Sequence, residues 1–157
     1  AAYLDAKQIK TYTHQAEAYD MVSRGENIIV TTPTASGKTL SCLLPVFAKL
    51  LENPDATALL IYPTKALTRD QLLTIQEMDS LLQAKTRPAI YDGDTKQEAR
   101  ARIRTRSRII LTNMYELHHI LPWRAKWGDF FANLSFVVVS LIIKKMGSIN
   151  FSLQYSL

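Results

Sequence analysis

The sequence predicts an α/β fold in which helices cover both faces of a parallel sheet. Three observations carry this. Short β-branched runs alternate with longer amphipathic segments, and a β-α-β-α order of that kind buries a parallel sheet between helices. Apolar residues make up 47% and charged residues 21% of the 157, ordinary for a globular chain long enough for one domain and one core. Finally, the conspicuous motifs all fall in loops that follow predicted strands, except one that precedes the first. Right-handed crossovers place such loops along one edge of the sheet, where ligands of these folds bind.

The elements follow in order. His14–Arg24 reads as a helix and Asn27–Thr31 as a strand, because "NIIV" is a buried-strand pattern. Gly37–Leu51 continues as a helix through "LSCLLPVFAKLL". Thr57–Tyr62, Arg87–Tyr91, Arg108–Thr112 and Ser135–Val139 are the later strands, separated by helices over Ala66–Leu82, Thr95–Arg104 and Tyr115–Leu121. The longest apolar run, "FVVVSLII" (Phe136 to Ile143), holds a serine and stops at Lys144-Lys145. It falls short of the ~20 residues of a membrane span and fits one or two buried strands. There are no internal repeats.

Composition bounds the setting. The N-terminal "AAYLDAKQIK" lacks the apolar centre of a signal peptide. A single cysteine, Cys42, permits no internal disulfide, so a reducing compartment is expected: the cytoplasm, or the nucleus in a eukaryote. Cys42 itself lies in an apolar run and reads as packing. The formal charge of +5 permits a polyanionic partner without requiring one.

"TTPTASGKTL", Thr31 to Leu40, sits between a predicted strand and a predicted helix, the context of a phosphate-binding loop. Backbone N–H groups at the helix start would cradle phosphate oxygens. Gly37 would let the backbone approach closely. Lys38 would reach the β and γ phosphates, and Thr39 would offer its hydroxyl to Mg²⁺. The glycine usual six positions before the lysine is Thr32, yet Thr34, Ala35 and Ser36 are small enough for a tight loop. The plainer alternative is a polar turn with a chance Gly-Lys-Thr. Gln15, in "YTHQAEAYDMV", has an amide with one donor and one acceptor face, which suits adenine's edge. Taken alone it is equally an exposed helix residue.

"YTHQ", "TTPTASGKT", "YPTKALTRDQ", "YDGDT" and "IILTN" together resemble the first RecA-like domain of a superfamily-two DEAD/DEAH-box helicase. "TPTASGKT", "PTKAL" and "LTN" most resemble the RecQ-four-like DNA helicase subgroup. The resemblance covers Tyr12 to Val139, so 1–139 is expected to be a partial RecA-like, P-loop domain and 140–157 an atypical tail. It implies that Gln15 reads adenine and that Thr34, Ala35, Ser36, Gly37, Lys38 and Thr39 hold ATP and Mg²⁺. It implies a nucleic-acid track from Pro63, Thr64 and Lys65, with Arg69 and Gln71 on the following helix. Gly93 to Thr95 and Thr112–Asn113 would add backbone contacts. Many relatives place proline after the last of these motifs, where this chain has Met114. Loops of this kind grip phosphates rather than read bases, so binding is expected to be sequence-independent and salt-sensitive. The subgroup favours single-stranded DNA over RNA.

The family's Asp-Glu-Ala-His positions read Ser140, Leu141, Ile142 and Ile143, and Phe130 to Leu157 contains no Asp or Glu. Mg²⁺ is usually held by one or two carboxylates beside phosphates and water. No catalytic residue is therefore assigned. The sheet is expected to be incomplete at its C-terminal end, the second RecA-like domain missing, and the chain inactive in hydrolysis alone. The abrupt composition change is of the sort a frameshift, an altered splice or an engineered end produces. Three functional readings follow: core fragment of an ATP-dependent helicase, non-catalytic nucleotide or nucleic-acid-binding module, or inert truncation product. A fifth strand left at the edge would invite self-association.

Other features have mainly structural readings. Asp92, ending "PAIYD", could substitute for the lost metal carboxylate only if its strand neighboured the first. "RARIRTRSR" spaces Arg100, Arg102, Arg104, Arg106 and Arg108 as a solvated helix surface or, less simply, a phosphate stripe. Trp123 and Trp127, flanking Arg124 and Lys126, read as rings on a core, with base stacking the alternative. His118 and His119 lack partners for a metal site.

Overall fold

The computed structural model describes residues 4, 7, 13–30 and 37–140. Its centre is a four-stranded, all-parallel sheet of β1 (Thr57–Ile61), β2 (Ala89–Ile90), β3 (Ile109–Thr112) and β4 (Leu134–Val139), in the order β2-β3-β1-β4. Helices α1 (Thr13–Ser23), α2 (Lys38–Glu52), α3 (Lys65–Leu82), α4 (Gln97–Arg106), α5 (Met114–Ile120) and α6 (Gly128–Ala132) surround it. A 3-10 helix, Leu121–Trp127, joins α5 to α6.

β1 and β3 are buried along their whole length because helices cover both faces. Ala58 and Leu60 face one core with Leu43, Val46, Phe47 and Leu50 of α2 and Ile75 and Met78 of α3. The helical spacing of those α2 residues is the apolar stripe of an amphipathic helix. Leu59 and Ile61 face the opposite core with Ile110, Tyr91, Ile120, Trp127 and Phe130.

Side chains close the ends of the elements. Thr64 caps α3 by accepting from the Leu67 N–H at 3.2 Å. Arg108 caps the other end of α2, where carbonyls lack helical partners. Its guanidinium donates to Leu50 O at 2.7 Å, Asn53 O at 2.6 Å and Ala56 O at 3.1 Å. Arg108 thus belongs to the scaffold and not to any surface stripe.

Two expectations need correction. Asn27–Val30 forms no strand, and Ile29 is 69% exposed; Thr31 lies outside the described residues. An apolar run becomes a strand only when another strand accepts its backbone, which local pattern cannot specify. β4 is half-buried rather than buried: Phe136 and Val138 pack on the α2 core, while Val137 and Val139 stay about half exposed. β4 therefore ends the described sheet.

Candidate nucleotide and nucleic-acid site

α1 exists largely to place one polar side chain. Gln15 and Ala18 are its buried residues, and Gln15 is 1% exposed. A buried amide requires partners. The Gln15 side-chain N–H donates to the Gly37 carbonyl at 3.0 Å, joining positions 22 residues apart. Gly37 has φ 73° and ψ 27°, the left-handed region, and is the N-cap of α2. A β-carbon there would lie 2.4 Å from the Gln15 amide nitrogen. Conformation and space both select glycine. Lys38 and Thr39 follow in the first turn of α2, half-buried, at the positive end of a 15-residue helix. Thr34, Ala35 and Ser36 lie outside the described residues. Cys42, a turn further on, is half-buried and burial raises its thiol pKa, consistent with packing.

The other motif residues lie in loops after β1, β2 and β3, at one edge of the sheet. Lys65 donates to the Asp94 carboxylate at 2.8 Å, and Arg69 reaches the same oxygen at 3.5 Å. These exposed pairs tie the first turns of α3 to the loop after β2. The Lys65 hydrogen bond holds the Asp94 carboxyl below its ordinary range, and Asp94 in turn raises Lys65. Pro63, Thr64 and Gly93 are exposed beside them. The Thr95 hydroxyl is turned inward to Asp92, accepting from its N–H at 2.9 Å. Asn113 accepts from the Glu116 N–H at 2.8 Å and so caps α5. Met114 starts that helix, a place where proline is well tolerated, so its substitution for proline preserves the turn.

Thr112 is placed differently from the exposed loop residues. It is fully buried; its hydroxyl donates to Tyr91 O at 2.7 Å and its carbonyl accepts from the Tyr62 N–H at 2.9 Å. These bonds tie the end of β3 to the residues that follow β1 and β2. Asp92 is also spoken for, accepting from the Asp94 N–H at 2.9 Å within its own turn. β2, which precedes it, lies at the far end of the sheet from β4, so Asp92 cannot replace a carboxylate there. After β4 stands Ser140, whose N–H donates to Ile61 O at 2.9 Å; Leu141, Ile142 and Ile143 lie outside the described residues. Among the described residues no His, Cys, Asp and Glu form a metal-holding group, His118 and His119 included.

The tryptophans part company. Trp127 is 3% exposed and packs edge-on against Tyr91 and Phe130. Trp123 is 63% exposed. Four-residue spacing aligns side chains on an α-helix, but a 3-10 helix turns every three residues, and Trp123 departs from helical geometry. Of the arginines, Arg102 and Arg106 are exposed, while Arg100 and Arg104 turn toward Tyr91, with Arg100 over its ring at 4.8 Å and Arg104 donating to its hydroxyl at 3.2 Å. Sequence spacing points to these arginines, but nothing in it links them to Tyr91.

Comparison with known proteins fits this geometry. The DEAD/DEAH box helicase family model matches residues 12–140. The uncharacterised ATP-dependent helicase YprA of Bacillus subtilis is 40% identical over 82% of this chain and 17% of its own length. The ATP-dependent helicase HRQ1 of Saccharomyces cerevisiae is 42% identical over 82% of this chain and 12% of its own. The chain thus spans less than a fifth of these relatives. The crystal structure of the DUF1998 helicase MrfA bound to DNA and AMPPNP superposes with a TM-score of 0.85 at 39% identity, covering 88% of this chain and 20% of that one.

Proposed function

Because the chain belongs to the DEAD/DEAH box helicase family, we propose that it forms the ATP- and DNA-binding part of an ATP-dependent DNA helicase. In this reading it holds nucleotide and single-stranded DNA but does not hydrolyse nucleotide by itself. The observation that carries this is the 3.0 Å bond from Gln15 to Gly37. It joins the residue expected to meet adenine to the loop expected to hold phosphates, beside Lys38 and Thr39. The exposed cations Lys65 and Arg69 on the sheet edge support a phosphate track.

The residues fit a nucleotide better than its metal. Gly37, Lys38 and Thr39 offer a helix N-terminus, a cation and a hydroxyl, and buried Gln15 braces Gly37 through its amide N–H. For Mg²⁺ the Thr39 hydroxyl is at hand among the described residues, and Ser140, Leu141, Ile142 and Ile143 supply no carboxylate. Phosphoryl transfer depends on that metal's position and charge. The lack of a carboxylate at those four positions favours a binding role over catalysis.

Single-strand affinity measured with and without AMPPNP tests the proposal. It should change with the nucleotide, while steady-state hydrolysis stays at background with or without DNA. Absence of single-strand binding, or DNA-stimulated hydrolysis, would contradict it.

Among the described residues β4 pairs with β1 alone, and its other side supports self-association as a further part of this reading.

A further inference from the structure

Beyond the loops lies a cavity of about 300 Å³ between α4, α5 and the 3-10 helix. Tyr91 and Trp127, both buried, form its floor. Arg100 and Arg104 of α4 line one side, Trp123 and Lys126 the other. Arg100 is neutralised by Glu116, 3.2 Å away. Arg104 and Lys126 face no carboxylate within ion-pair distance among the described residues. The cavity therefore carries two positive charges that nothing inside it offsets.

The aromatic wall is open to a ligand. The Lys126 ammonium sits over one face of the Trp123 ring, 4.8 Å from its centre, and Trp123 is still 63% exposed, which leaves the other face for a ligand. An indole of that exposure beside uncompensated cations suits a flat, anionic partner. The volume is at the small end for ligand sites, enough for one ringed unit. Position narrows the class further. Arg100 donates to Asp92 O at 2.8 Å and to Thr95 O at 3.1 Å, so the cavity wall is bonded directly to the loop after β2. The cavity therefore adjoins the loop that would meet a strand.

We infer that this cavity takes one nucleotide of a single DNA strand, its base stacked on Trp123 and its phosphate between Arg104 and Lys126. The inference rests on the DNA-binding reading above and adds a binding point outside the strand-end loops. Because stacking tolerates any base, it adds affinity without sequence preference.

The test is fluorescence anisotropy of a labelled oligothymidylate with the full chain at several salt concentrations. Trp123→Ala should weaken binding about fivefold or more, the low end for one stacked base, and Trp123→Tyr should retain most of the affinity. Arg104→Gln combined with Lys126→Gln should lower the slope of log affinity against log salt by about 0.7 for each phosphate no longer neutralised. Arg69→Ala, on the loop track, serves as the comparison. If Arg69→Ala weakens binding while Trp123→Ala and the double variant do not, the cavity plays no part and the DNA-binding reading stands. If the unaltered chain binds no oligonucleotide, both fall together. Unfolding midpoints show whether Trp123→Ala is folded; if it is not, Trp123→Tyr, the double variant and quenching of the indole emission by unlabelled oligonucleotide decide the matter.

Discussion

Gly37 carries two demands at one residue. Its backbone is left-handed, and the space a β-carbon needs is occupied by the Gln15 amide. Gly37→Ala should therefore cost about 1–2 kcal/mol in backbone strain alone, with more from the displaced amide. Chemical denaturation would measure the loss, and nucleotide affinity should fall with it; an unchanged midpoint would contradict the geometry. Ser41, a turn later, shows the opposite situation. Its hydroxyl is buried with no hydrogen-bond partner among the described residues, and Pro45, four residues on, has no N–H for the Ser41 carbonyl. Removing an unpaired buried hydroxyl relieves a desolvation cost of about 1–3 kcal/mol. Ser41→Ala should leave stability unchanged or raise it, and a clear loss would mean that the hydroxyl has a partner.

At the scale of elements, what matters is how helices and loops are tied. Arg108 satisfies carbonyls at the end of α2 and before β1, linking helix, turn and strand. Arg108→Leu keeps the apolar stem and leaves those acceptors bare. It should cost about 2 kcal/mol, read as a lower thermal midpoint. The Lys65–Asp94 pair ties α3 to the loop after β2. Asp94 is lowered and Lys65 raised, so the pair's contribution is complete across neutral pH. It is lost as pH falls through the depressed Asp94 value, and as pH rises through the elevated Lys65 value. Both groups are exposed, so stability should respond little to Asp94→Asn. DNA affinity should rise instead, because Lys65 and Arg69 lose a competing anion, and the salt dependence should steepen. Weaker binding by Asp94→Asn would show that these cations do not face the strand.

The same scale shows what was legible in the sequence. β1, β3, β4 and helices α1 to α5 begin and end within about two residues of their predicted limits, and the apolar runs of the strands and of α2 are local signals. The 3-10 helix and α6 were not foreseen. "LPWRAKWGDFFA" has neither a strand's alternation nor a long helix's stripe, and its order comes from packing Trp127 and Phe130 onto the sheet. The turn after α3 was equally hidden. Gln83, Lys85 and Arg87 adopt positive φ without any glycine to announce it, held there by Ala84 and by Thr86 bonded to Asp79. In the candidate site, motif spacing points to Gln15, Gly37 and Lys65. It could not tell that the Gln15 amide reaches the loop carbonyl, that Thr112 faces inward, or that Arg100 and Arg104 meet Tyr91, since each depends on packing between distant segments.

For the whole molecule, three stations are joined by one sheet: the head of α2, the strand-end loops and the aromatic cavity. The first is where adenine and phosphates would be held, the second where a DNA backbone would lie. The central claim is that the Gln15–Gly37 junction and Lys38 form a nucleotide site. Calorimetric titration of ATP at millimolar concentration into the unaltered chain and into Lys38→Ala tests it most directly. A saturable heat that Lys38→Ala weakens at least tenfold, the worth of one charge-assisted hydrogen bond, is the predicted result; equal heats in the two proteins, or none in either, would contradict it.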